Sequence, residues 1–140
     1  WGRKAPMVAT RLLGALGYVL ALIFTLMPSN SPLQTAWAYT IAFSLVTLGV
    51  AMGIAPTWAF MQDIGGKNVG AIIGWGNMWG NFGAAIAPAL YNLVLGEKPG
   101  PREWQWLFAL CLAACLLSAL GALGVDATRP LGQPKEKEPS

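Results

Sequence analysis

Two asparagines in an apolar, glycine-dense run are the side chains in this sequence best equipped to handle a solute. Asn77 and Asn81 stand in Gly70-Ala71-Ile72-Ile73-Gly74-Trp75-Gly76-Asn77-Met78-Trp79-Gly80-Asn81-Phe82-Gly83-Ala84-Ala85-Ile86-Ala87-Pro88. A side-chain amide offers donors and an acceptor, and in hydrocarbon these need partners. On a helical wheel at about 100° per residue, the run divides into three faces. Gly70, Gly74, Asn77, Asn81, Ala84 and Pro88 form a polar face. Gly76, Gly80, Gly83 and Ala87 form a small face, and Ile72, Trp75, Trp79, Phe82 and Ile86 a bulky apolar one. Such a helix is expected to meet three neighbours: a wet cavity, a closely packed helix, and lipid or protein core. Each asparagine is either a ligand for a solute or an interhelical hydrogen bond worth about 0.6 kcal/mol.

Most other chemistry is missing. The chain has no His, which removes the commonest general base and metal ligand. It shows no nucleophile–base pair, no metal-ligand cluster and no phosphate loop. No enzymatic activity, metal or cofactor is therefore expected. Gly74 to Gly80 fits a loose Gly-x-Gly-x-x-x-Gly, but no strand precedes it, as dinucleotide binding requires. Cys111 and Cys115 sit one turn apart in an apolar run and read as small buried hydrophobes. No ionisable residue lies at mid-span depth, so proton coupling and strong anion capture are not expected within these helices.

The elements that position the asparagines follow from hydropathy. The hydrophobic fraction is 55% and the charged fraction 11%, less than half the share of about 25% in soluble domains. Four apolar runs of about 20 residues or more qualify as membrane spans: residues 6–27, 35–61, 69–95 and 104–125. The expected fold is all-α, with four transmembrane helices. Pro28 to Gln34 and Gly96 to Glu103 read as polar turns, and Gly65-Gly66 permits a sharp reversal. Small-xxx-small pairs at Gly70/Gly74 and Gly76/Gly80 allow close helix packing, with Gly83 continuing the small face; Gly14 and Gly17 do so in the first span. In the second span Thr40, Ser44, Thr47, Ala51 and Trp58 share a face. Each hydroxyl there can serve a neighbour or simply bond the preceding turn. Trp58, just after Pro56, is either a packing residue or an aromatic wall for a ligand. Asp63 is expected to pair locally with Lys67, to position the loop or to cap a helix. The fourth span has no polar stripe and reads as peripheral. Residues 126–140 read as a disordered cytoplasmic tail.

Charge sets the expected orientation. Arg3, Lys4, Arg11, Lys67, Arg129, Lys135 and Lys137 fall on one side, Lys98 and Arg102 on the other. The excess of basic residues places both termini in the cytoplasm, and four spans agree with that. Arg11, near the start of its span, is expected to snorkel to the headgroups; an anion ligand is the alternative. The net charge of +3 gives no reason to expect nucleic acid as a partner. The chain opens on Trp1 in mid-theme and reads as part of a longer protein.

Thr57-Trp58-Ala59-Phe60-Met61-Gln62-Asp63-Ile64-Gly65-Gly66, followed by Gly70-x-x-x-Gly74-x-x-Asn77-x-x-Gly80-Asn81-x-Gly83 and Pro88, resembles the major facilitator superfamily. Within it, the pattern is similar to the anion:cation symporter branch, which includes hexuronate and galactonate permeases. It departs at Ala84-Ala85, where that branch has a longer glycine series. The resemblance implies that these spans are helices nine to twelve of twelve. It implies that Asn77 contacts the bound acid, that Trp58 lies on the substrate side, and that the coupling carboxylates and anion-binding arginine lie in an N-terminal half. The expected function is part of a secondary transporter in the plasma (inner) membrane. It would move a sugar acid or similar organic anion with protons or sodium, and Asn77, Trp58 and Asn81 would line the cavity. The expected partners are that anion, the coupling ion, the bilayer and the N-terminal helices. The rival expectation is a small four-helix assembly subunit that dimerises through its glycine faces.

Overall fold

The computed structural model describes residues 2–28, 30–32 and 34–127. Among these, the chain forms four long helices: α1 (Lys4–Leu26), α2 (Ala36–Gly65), α3 (Val69–Leu95) and α4 (Pro101–Leu123), with a single 3₁₀ turn, Gly66–Asn68, between α2 and α3. Apolar side chains supply no partners for backbone amides, so each run satisfies its own N–H and C=O groups by closing into a helix. The expected tail from residue 128 onward lies outside the described residues.

The helix ends follow local rules. Pro6 sits in the first turn of α1, where the backbone donors have no helical acceptor anyway. Met27 ends that helix in an extended conformation, φ −73° and ψ 154°, as the following Pro28 demands. The Gln34 amide then folds back and donates to the carbonyls of Phe24 (3.1 Å) and Met27 (2.9 Å). Thr35 caps α2 by accepting from the Ala38 N–H. At the start of α4, Pro101 takes the first helical position and the Glu103 carboxylate accepts from the Gly100 N–H at 2.8 Å.

Helical backbone continues from Ala36 to Leu95, 60 residues, about 90 Å if straight and far more than a bilayer is thick, with the polar residues Gln62, Asp63, Lys67 and Asn68 in its middle. The structure divides it at Gly66, whose φ of +48° is a left-handed value that disfavours a Cβ. Beyond that turn α3 reverses beside the end of α2, where the Met61 methyl group reaches Gly76. The reversal is tighter than the sequence suggests. Gln62 to Gly65 are helical, and the turn itself is three residues. Two spans therefore come from this run, and the bundle has four.

α1 is the centre of the packing, flanked by α2 and α4. Met7, Thr10, Gly14, Gly17 and Ala21 are buried along it at alternating spacings of three and four, one stripe of a helix. The α1 and α2 backbones nearly touch across that stripe. A Cβ on Gly49 would lie 2.6 Å from the Gly14 nitrogen and from the Thr10 carbonyl oxygen. One on Gly17 would lie 2.5 Å from the Ala42 carbonyl oxygen. In lipid, where apolar surface alone does not draw helices together, such close approach is what supplies the attraction. Ala21, Ala42 and Phe108 form the innermost cluster, ringed by Tyr18, Leu20, Leu22, Phe24 and Tyr39. Gln105 of α4 donates to the Thr25 carbonyl of α1 at 3.2 Å.

α3 stands apart, with no buried residue. It touches α2 near the turn and approaches α4 along Trp79, Phe82, Ile86, Leu90 and Tyr91. The Tyr18 hydroxyl of α1 and the Tyr91 hydroxyl of α3 both interact with the Cys111 thiol of α4. Cys111 and Cys115 are free thiols and half-exposed.

Candidate functional site

The three faces expected of the Gly70–Pro88 run have different fates. The bulky face is divided: Trp79, Phe82 and Ile86 line the cleft against α4, and Ile72 lies beside Gly65 of α2. Trp75, Trp79 and Phe82 stack edge-to-face along this face, with ring centroids 6.1 and 5.9 Å apart. On the small face, Gly76 packs against another helix, at Met61, while Gly83 and Ala87 line the cleft between α3 and α4. A Cβ on Gly70, Gly74, Gly80 or Gly83 would find no atom within 4 Å. The close packing expected of these glycines is therefore not made among the described residues. The glycines that do bring helices together are Gly14, Gly17 and Gly49. The spacing of Gly49 and Gly53, a further small-xxx-small pair, carries that signal.

The polar face is uncovered. Asn77 and Asn81 are exposed and lie across the helical wheel from Trp79, Phe82 and Ile86, which line the cleft against α4. Neither amide is hydrogen-bonded to the described residues, so neither ties this four-helix bundle together.

Trp58 lies elsewhere. It is 43% exposed and lines a cavity of about 430 Å³ between α1, α2 and α4, with Thr10, Arg11, Thr57, Cys115 and Ser118. The described helices thus do not bring Trp58 to the two asparagines. The hydroxyls on its helix are occupied locally. Thr40, Ser44 and Thr47 each donate to the carbonyl one turn back, at 2.8 to 2.9 Å. Of the two readings of these side chains, the internal one holds.

Two charged residues find partners the sequence did not indicate. Asp63 pairs with Arg3, not with Lys67: the Arg3 Nε donates to the Asp63 carboxylate at 2.7 Å. This contact holds the N-terminal flank and the α2–α3 turn at one end of the bundle. The hydrogen bond to Asp63, and then its charge, raise the pKa of Arg3. Arg11 bends back toward the start of α1, where its Nη1 donates to the Met7 carbonyl at 2.8 Å. Its Nε donates to the Ser118 hydroxyl of α4 at 2.7 Å. The snorkelling direction is as expected; the contact with α4 is not visible in sequence, where the two residues are 107 apart.

The arrangement leaves two amides of α3 exposed and without a hydrogen-bond partner among the described residues. No curated protein and no solved structure matches the chain. The profile of the Major Facilitator Superfamily matches residues 1–140. An all-helical, multi-pass bundle, integral to the membrane and matched from end to end, makes this chain a member of the Major Facilitator Superfamily of membrane transporters.

Proposed function

We propose that this chain forms helices nine to twelve of a twelve-helix secondary transporter. It moves a small organic anion, a sugar acid or a close relative, by alternating access coupled to protons or sodium. The observation that carries the reading is the uncovered amide face of α3. Asn77 and Asn81 are at mid-span, point away from α2 and α4, and have no partner among the described residues. In hydrocarbon that is costly, so this face is completed by a solute-filled cavity and the remaining helices. Asn77 is the solute contact and Asn81 lines the same cavity, whereas Trp58 belongs to the cavity beside Arg11. Coupling chemistry comes from the N-terminal half. The membrane is the plasma (inner) membrane with both termini of this segment cytoplasmic. The basic flank and the α2–α3 turn, held together by Arg3 and Asp63, support that orientation.

The test is uptake of labelled sugar acids by the complete transporter carrying Asn77→Ala, with membrane abundance measured in parallel. Losing a hydrogen bond to a charged solute lowers uptake efficiency roughly tenfold or more. Unchanged uptake and affinity at normal abundance would remove Asn77 from the site. The open small face at Gly80 and Gly83 favours a second reading, a subunit that dimerises through α3. A dimer that Gly80→Leu disperses, with no transport activity, would favour it.

A further inference from the structure

The cavity at Arg11 is separate from the amide face of α3 and does not depend on which solute is carried. A guanidinium has five N–H donors, and Arg11 commits two of them, to Met7 and to Ser118. Both acceptors are neutral, and among the described residues no carboxylate pairs with it. The Thr10 and Thr57 hydroxyls already donate to the carbonyls of Pro6 and Gly53, so the strong free donors in the cavity belong to Arg11, the Ser118 hydroxyl and the Trp58 indole N–H. Trp58 lines the same cavity. The Arg11 guanidinium reaches back to Met7, within a turn of the helix start, which is headgroup depth for a span of this length. A delocalised cation with a planar fork matches a phosphate better than a lone ammonium would.

We propose that Arg11, Ser118 and Trp58 form a second site, which binds a phosphate oxyanion at the end of the bundle that carries the N-terminal flank. The phosphate comes from an anionic lipid headgroup or from a phosphorylated solute.

The chain is purified in maltoside detergent, which contains no phosphate. Short-chain phosphatidylglycerol, diacylglycerol and inorganic phosphate are titrated separately. The signal is the part of the tryptophan fluorescence change that Trp58→Phe abolishes. Saturation by phosphatidylglycerol alone supports a lipid site, and saturation by inorganic phosphate as well supports a site open to free phosphate. Arg11→Gln weakens either by roughly tenfold or more. A wild-type chain that responds to neither, or equally to diacylglycerol, overturns the proposal, as does wild-type affinity in Arg11→Gln. A second measurement needs no variant. Bound phosphatidylglycerol or phosphate protects Arg11 of the wild-type chain from phenylglyoxal, read by mass spectrometry, and modification at an undiminished rate overturns the site.

Discussion

Gly49→Ala and Gly80→Ala are the same chemical change on two helices of one bundle, and the structure gives them opposite signs. At both positions alanine favours the helix by about 1 kcal/mol over glycine. At Gly80 the new methyl enters open space, so that gain stands alone. At Gly49 the methyl would lie 2.6 Å from the Gly14 nitrogen and the Thr10 carbonyl oxygen, and 3.0 Å from the Gly14 Cα. Ordinary contact begins at 3.4 Å, so the shortfall is about 0.8 Å. All three neighbours are backbone atoms and cannot rotate away, so α1 and α2 must separate. Separation also loosens the contacts at Gly17, where the Ala42 carbonyl and Val46 sit as close. Overpacking of this kind costs about 1–3 kcal/mol, and backbone neighbours place it at the upper end. The net effect of Gly49→Ala is a loss of about 2 kcal/mol, and the two variants differ by about 3 kcal/mol, more than a hundredfold in the folding equilibrium. Reversible unfolding in mixed dodecyl sulfate and maltoside micelles, followed by circular dichroism, measures both. A Gly49→Ala chain as stable as Gly80→Ala would refute the close approach of α1 and α2, and with it the central place of α1.

Gln34→Ala removes both side-chain bonds to the end of α1 and costs about 1–3 kcal/mol; amide hydrogen exchange should quicken in the last turn of α1 and stay unchanged in α3. Thr47→Val changes stability by less than about 0.5 kcal/mol and leaves uptake by the complete transporter unaltered, because the hydroxyl serves only the Phe43 carbonyl. Asn77→Ala leaves the unfolding midpoint of this chain where it was, since no bond within the described bundle is lost; a clear destabilisation would mean that the amide holds the helices together after all. The exposed Arg3–Asp63 pair gives a small, salt-sensitive contribution, lost in either charge-reversed single variant and restored in the swap Arg3→Asp with Asp63→Arg. Asp63 raises the pKa of Arg3. A cation raised on folding keeps its contribution below the unfolded pKa and loses it only as pH climbs through the folded one. Swap and wild type should therefore run parallel in unfolding titrations across neutral and mildly alkaline pH.

The family assignment rests on features that sequence carries plainly. The Gly70–Pro88 run and the turn before it hold their pattern in a short stretch, and the profile match over residues 1–140 agrees with the superfamily that they resemble. The site is less legible. Asn77 and Asn81 could be picked out because an amide in an apolar helix is conspicuous wherever it points. The cavity at Arg11 could not, because Arg11, Trp58 and Ser118 come from three helices and each has an ordinary local reading.

What the sequence determines by itself is the helical class and the number of spans. Long apolar runs have no choice but to bond their own backbone, and Pro28, Gly66 and Pro101 mark where that bonding stops or starts. The division of the Gly70–Pro88 helix into three faces is equally local, a matter of about 3.6 residues per turn. Which face meets what is decided only in three dimensions. The glycine-rich helix that looks made for close packing is the least buried, and α1, which looks ordinary, is the hub. Asp63 finds Arg3 across 60 residues, and Arg11 finds Ser118 across 107. The reason is physical. Hydropathy drives each helix into the membrane but does not tell apolar faces apart once there, so partners are chosen by backbone approach and a few polar bonds. Those depend on residues far apart in the chain.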